Sequence, residues 1–324
     1  MSVGRGRALS AALSVAKVIG RGILSLAGAV TLVFLSLRLA PGDPADNILG
    51  ADAPAAAKTA FRERLLLDLP LVDQYGVLWS NLARGDLGVS YAAAERPIPV
   101  SRLVAEALPA TLELALAALL IAAFIAVPLG TLSARFQHGP VDVATLAFAM
   151  FGAAVPVFWS GPLLLYLFAV RLDVSPDPGD PLRGLAPLVL PAAALGIALA
   201  ARLVRTVRAS VLDVLRLDFV TLARAKGLPE SRVLFRHVLR NAWIPVVTVM
   251  GLQLAALLSG AIVTEKVFAR PGLGTLLLDG IARRDYAVVQ GCVLVGTLAW
   301  VLVNAGLELL YLALDPRVRT GAPR

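Results

Sequence analysis

The residue types that do most protein chemistry are nearly missing from this chain of 324 residues. It has two histidines, His138 and His237, and one cysteine, Cys292. One thiol closes no internal disulfide, and no Cys/His spacing suits a metal ion. Gly-x-Ser-x-Gly and His-Glu-x-x-His do not occur, so neither a nucleophile elbow nor a zinc-protease helix is available. The dipeptide Gly-Lys is absent, which rules out a P-loop for cradling phosphates. The expectation is that the chain is no enzyme: no catalytic residue, metal or cofactor is assigned to it. Cys292 sits in an apolar run and reads as a small packing residue.

What remains is charge. The stretch ARAKGLPESRVLFRHVLRN, residues 223–241, packs bases between two of the most apolar parts of the chain. Cations so placed could meet anionic lipid, an acidic partner or a phosphate. The net charge of +8 would raise the question of nucleic acid in a soluble protein. This chain is 58% hydrophobic and 16% charged, whereas a soluble domain is nearer half apolar and about one quarter charged. The apolar residues gather in runs of the roughly 20 residues that cross a bilayer as a helix. Among such runs, bases chiefly hold loops on the cytoplasmic side.

The elements that must position the basic stretch follow from those runs. An all-α polytopic membrane protein is predicted, with six transmembrane helices: 22–40, then about 109–134, 143–170, 184–203, 242–264 and 286–314. A tail, 1–21, precedes the first. Its bases and the uncharged run after them resemble a signal peptide, but LRLAPGDP offers no small-x-small cleavage site, so an uncleaved anchor is expected. Residues 41–108 form a polar segment with two short amphipathic helices, AAAKTAFRERLLL and DQYGVLWSNLARG, and a turn at RGDLG. Pro156 and Pro162 interrupt the third span, and prolines are frequent enough to suggest bent helices around a central feature. Residues 109–314 make one membrane domain, 204–241 its large loop, and 315–324 a short tail.

Bases orient this arrangement. The connection at 202–241 holds nine (Arg202, Arg205, Arg208, Arg216, Arg224, Lys226, Arg232, Arg236 and Arg240), and those at 171–183 and 265–285 hold two and four. The positive-inside rule then puts both termini and the 204–241 loop in the cytoplasm, and the acidic 41–108 insertion outside. Within the spans acids are scarce, Glu113 and Glu308 lying near their ends. That scarcity disfavours a stand-alone carrier driven by protons or sodium.

Inside the loop, Val204, Val207, Val211, Leu215, Phe219 and Leu222 recur at helical spacing. They predict an amphipathic helix continuing below the membrane. Gly227 ends it as a left-handed cap. Pro229 starts the next helix, whose apolar side is Val233, Leu234 and Val238. Orientation signals and lipid-surface binding both account for the bases. Neither accounts for a Gly-hinged, Pro-started helix pair.

That pair resembles the cytoplasmic loop of ABC importer permeases. In the broad pattern Glu-Ala-Ala-x3-Gly-x9-Ile-x-Leu-Pro, Gly227 takes the glycine, Thr221, Leu222 and Ala223 the first three places, and His237, Leu239 and Arg240 the last named ones. The match is partial there. It is close to the dipeptide/oligopeptide/nickel permease version, of the first-permease type, with Arg-Ala-Lys-Gly and His-x-Leu-Arg-Asn. LAPGDP, GDLGVSY, ALPATLELA, VPVFWSG, VFARPGLG and DPRVR resemble that family in order along the chain. Arg270 departs from it, standing where an aromatic residue is expected. The resemblance implies a type I importer permease of a bacterial plasma membrane. Its partners would be a second permease subunit, two ATPase subunits that use ATP and magnesium, and an extracytoplasmic solute-binding protein. Peptides are the default cargo, with nickel, glutathione, haem and sugars carried by relatives. Thr221, Ala223, Arg224, Ala225, Lys226, Gly227, Pro229 and His237 would couple the chain to the ATPase. Small Ala223 and Ala225 would allow close approach, and Arg224 and Lys226 would meet its acids. Pro156, Trp159, Gln253 and Ser259 are candidates for the pore lining. A polytopic enzyme sited in 41–108 is the remaining rival, and that segment holds no histidine, cysteine or nucleophile constellation.

Overall fold

The computed structural model describes residues 2–50, 52–91, 97–172 and 186–314. The first helix, α1 (Ser2–Leu39), has its membrane-length apolar part at Ala16–Leu39. An insertion follows: α2 (Pro44–Leu49), α3 (Ala55–Arg64) and α4 (Leu71–Ala83). Two short antiparallel strands, β1 (Val89–Ser90) and β2 (Ile98–Pro99), close it, Ser90 facing Ile98. Next come α5 (Val100–Arg135), α6 (Pro140–Ala154) and α7 (Val157–Leu165), the last running into a π-helical turn, Tyr166–Arg171. Beyond them lie α8 (Ala186–Leu215) and α9 (Asp218–Ala225). A further helical stretch joins α10 (Glu230–Arg232), a π-helical turn (Val233–Val238) and α11 (Leu239–Gly260). Then α12 (Ile262–Val267), α13 (Leu273–Ala282) and α14 (Tyr286–Leu314) complete the described chain.

Five of these helical stretches are long and apolar enough to span a membrane, and a sixth if α6 and α7 count together. The third span, expected at 143–170 with interruptions at Pro156 and Pro162, is two helices meeting at 97°. Pro156 is the reason: its ring drives Val155 out of the helical region, to φ −80°, ψ 118°. By contrast Pro109, Pro128, Pro191 and Pro245 lie inside helices without ending them. Three expected boundaries move. α5 starts at Val100, so residues 100–108 belong to the helix rather than to the polar insertion. α8 continues to Leu215, and the single amphipathic helix expected up to Gly227 breaks at residues 216–217. The outer connection at 265–285 is mostly helix, α12 and α13. Residues 315–324, with the DPRVR motif, lie outside the described residues.

The two insertion helices fall where the sequence pattern puts them, and Gly85 and Gly88 adopt φ +75° and +82° at the expected turn. The insertion is tied to the spans by polar contacts. Thr31 and Tyr75 share a 2.7 Å hydroxyl hydrogen bond, and Arg38 Nε donates to Gln74 Oε1 at 2.6 Å. Arg284 donates to the carbonyl of Pro41. Next to it, Gly42 has φ +111°, and a Cβ there would stand 2.4 Å from Arg284 Nη1. The LAPGDP motif thus needs glycine both for its turn and for this close approach.

The centre of the bundle is the α5–α8 pair. On α5, Ala118, Ala122, Ala126 and Gly130 recur at helical spacing; on α8, Gly196, Ala200 and Val204 face them. A Cβ on Gly130 would lie 2.7 Å from Val207 Cβ, and one on Gly196 2.7 Å from Ile121 Cγ2. Lipid supplies no hydrophobic drive between helices, so such close backbone approach is what binds them. Gly196→Leu should destabilise the fold by about 1–3 kcal/mol through overpacking. Gly28→Leu, at a position with nothing within 4 Å, should leave stability unchanged. Thermal unfolding midpoints of both variants in detergent check the contrast.

Candidate functional site: the helix pair between α8 and α11

α9 is a helix with two unlike faces. Val220 is fully buried and Ala223 8% exposed, both packed in a cluster with Val207 and Val211 of α8 and with Val233, Leu234 and Val238 of the π-helical turn. On the other side Leu217 is 47%, Phe219 38% and Leu222 56% exposed. The apolar stripe read from the sequence is therefore split. Its α8 members and its α9 members Phe219 and Leu222 point to different places, because the break at 216–217 resets the helical phase. Val220 and Ala223 hold α9 down instead. Ala223 thus meets its own chain rather than an outside surface, contrary to the role expected for it.

The hinge has the expected chemistry. Gly227 adopts φ +75° after the last turn of α9, and its N–H donates to the carbonyl of Arg224 at 2.9 Å. The N–H of Leu228 reaches back to the carbonyl of Ala223 at 3.4 Å. This is the glycine-ended helix cap that a side chain would strain. Pro229 caps α10 with φ −61° and ψ 142°. Across the hinge Arg224 binds Glu230 as a fork, Nε to Oε2 at 3.1 Å and Nη2 to Oε1 at 2.7 Å. That carboxylate holds the Arg224 guanidinium above its ordinary pKa. Arg224 is thereby engaged within the chain and bends the two helices toward each other, whereas Lys226, Thr221 and Ala225 are exposed. His237 is half-buried on the π-helical turn, and its carbonyl accepts from Asn241 Nδ2 at 2.7 Å.

Sequence reasoning missed the clamp above this pair. Arg208 of α8 and Asp142 of α6 form a bidentate ion pair, Nε to Oδ1 at 2.7 Å and Nη2 to Oδ2 at 2.8 Å. Ser133 Oγ donates to Oδ1 at 2.5 Å and the His138 N–H to Oδ2 at 2.9 Å. Asp142 is 2% exposed. The α5–α6 turn, where His138 takes φ +65°, is thereby fastened to α8 about two turns before α8 ends. Arg208 had been one base among nine, and its periodicity carried no hint of a partner 66 residues earlier.

A second buried carboxylate marks the opposite end. Glu265 is fully buried. Its Oε1 accepts from Thr111 Oγ1 at 2.6 Å, and its Oε2 from the N–H groups of Gly274 and Thr275 at 2.8 and 3.1 Å. It caps the positive end of α13, where an anion is favoured. A Cβ on Gly272 would fall 2.2 Å from its Cδ, which explains that glycine in VFARPGLG. Arg270, the departure noted above, is 8% exposed with Nη2 3.5 Å from Glu113.

The pore candidates lie on α7 and α11. Pro156 caps α7 at the bend and Trp159 is 57% exposed beyond it. Gln253 is 9% exposed between α11 and α8, donating from Nε2 to the Leu199 carbonyl at 3.3 Å. Ser259 is on α11, and its side chain lies outside the described residues. Among those residues no cluster of His, Cys, Asp and Glu could hold a metal.

Breaking the clamp leaves a buried charge unpaired, so Arg208→Ala should lose about 3–5 kcal/mol. The double variant Arg208→Ala, Asp142→Ala should recover part of that loss. Unfolding midpoints around the double-mutant cycle measure the coupling.

Residues 126–320 match the family model for a binding-protein-dependent transport system inner membrane component. The glutathione transport system permease protein GsiC of Pectobacterium atrosepticum is 41% identical over 290 residues, 90% of this chain and 93% of the relative. GsiC of Escherichia coli K12 is 40% identical over 288 residues, with 89% and 92% covered. The di/tripeptide transport system permease protein DppB of Pseudomonas aeruginosa is 39% identical over 335 residues, with 94% and 98% covered. A solved amino acid ABC transporter shares the fold, with a TM-score of 0.50 over 67% of this chain and 94% of that one, at 16% identity. By this family match and these relatives, the bundle of apolar helices with its glycine-hinged helix pair is a membrane permease subunit: the chain belongs to the family of binding-protein-dependent inner-membrane components of ABC importers.

Proposed function

We propose that α9 is the coupling helix through which ATPase subunits drive this permease, and that its exposed apolar face seats in one of them. The observation that carries this is the two-faced character of α9. Val220 and Ala223 weld it to α8 and the π-helical turn, while Leu217, Phe219 and Leu222 stand bare. A helix held so firmly on one side transmits a push to the spans rather than yielding to it. Gly227, the Arg224–Glu230 fork and Pro229 fix its angle to α10, and the Asp142–Arg208 clamp passes the displacement to α6 and α5. Such rigid-body shifts switch packed bundles between two states. Thr221, Ala225 and Lys226 line the seat, and His237 belongs to the supporting turn.

The assembly contains a second permease subunit, two ATPase subunits with their ATP and magnesium, and a solute-binding protein outside a bacterial inner membrane. The nine bases at 202–241 support a cytoplasmic α9 end, with both chain termini on that side and the insertion outside. Peptides, including glutathione, are the cargo class supported by the relatives. Leu222→Asp should insert normally but lose co-purification with the ATPase. Gly227→Val should keep the complex, yet lower ATP-driven peptide uptake at least tenfold while ATP hydrolysis persists. Uptake into proteoliposomes and phosphate release measure both. Wild-type uptake by the Gly227 variant overturns the coupling role.

A further inference from the structure

At the insertion end, α1, α4 and α14 border a cavity of about 220 Å³. A single water needs ~10–15 Å³, so the space takes on the order of ten or more waters rather than one bridging molecule. Three buried donors among its lining residues have no partner among the described residues: Arg38 Nη1, Arg284 Nη1 and Gln290 Nε2. They come from the end of α1, the turn before α14 and the second turn of α14. Two of these side chains are held in place by other contacts. Arg38 donates from Nε to Gln74 and lies 3.8 Å over the Phe34 ring. Arg284 is anchored on the Pro41 carbonyl and takes φ +54°, a left-handed conformation rare outside glycine. The acids on the cavity wall serve neutral donors instead. Asp285 accepts from Ser90 Oγ at 2.6 Å and the Val288 N–H at 3.2 Å, and Asp86 from the Gly88 N–H at 2.8 Å. Among the described residues no carboxylate pairs with Arg38 or Arg284.

Buried donors are almost always satisfied. Three around one space, two of them cationic and none an acceptor, call for an anion with several acceptor sites. A carboxylate offers two oxygens, each able to take two such bonds. The rest of the wall includes apolar Val77, Leu78 and Leu87. We propose that this cavity binds a small amphipathic carboxylate, its oxygens held by Arg38, Arg284 and Gln290 and its apolar part laid against Val77, Leu78 and Leu87. The site is separate from α9 and independent of which solute is transported.

The test uses the full chain purified with its native partners in lipid nanodiscs, with N-acetylleucine and N-acetylleucine amide as probes and calorimetry as readout. The acid should bind saturably and at least tenfold more tightly than the amide. Arg38→Lys should weaken it at least fivefold. Gln290→Met, which removes a donor with no partner to lose, should weaken it about threefold or more without changing the elution profile or melting midpoint. Equal affinity for acid and amide, no saturable binding, or affinity untouched by both variants overturns the proposal. Displacement of the acid by a tenfold excess of inorganic phosphate also overturns the carboxylate assignment. No ATP enters the measurement, so its failure is distinct from a failure of the coupling role.

Discussion

The close crossing of α5 and α8 is the constraint on which the rest depends. In lipid, two apolar helices gain little by meeting unless their backbones approach closely enough for dispersion to accumulate. Alanine and glycine at 118, 122, 126 and 130 allow that on one side, and 196 and 200 on the other. Both ends of the molecule hang from this pair. At one end Val207, Val211 and Arg208 of α8 carry α9 and hold the α5–α6 turn. At the other, Thr111 of α5 positions Glu265 and through it the start of α13.

The buried carboxylates described above sit at the two ends of this bundle and act as fasteners. The Asp142–Arg208 pair and the Glu265 cap are each fully hydrogen-bonded, as buried charges must be. Glu265 accepts three donors of its own chain, which makes it a helix cap rather than the proton site a secondary carrier would need. With the middle of the bundle left apolar and close-packed, displacement at α9 has a rigid path into the spans.

The residue-level departures come from the two breaks that flank α9. Ala223 faces inward, Arg224 is paired with Glu230, and Phe219 and Leu222 leave the stripe they seemed to share with α8. The first and last follow from the two-residue break after Leu215, which resets the helical phase, and the Arg224 pair follows from the turn at Gly227. A hydrophobic period cannot register such a reset, since each helix taken alone keeps its own spacing.

The sequence by itself determined the class of molecule. Runs of about 20 apolar residues have only one stable form in lipid, the helix, so the spans were legible from composition. So were the insertion helices, the Gly227 cap and the Pro229 start, because each depends on local backbone chemistry. The break at Pro156 was legible for the same reason, but tertiary structure alone decided the partners of Arg208 and Glu265 and the donors left open around the cavity beside α4. These depend on residues far apart in the chain, Arg208 and Asp142 by 66 positions and Thr111 and Glu265 by 154. Charge, period and spacing describe a residue's own neighbourhood, and only packing brings such pairs together.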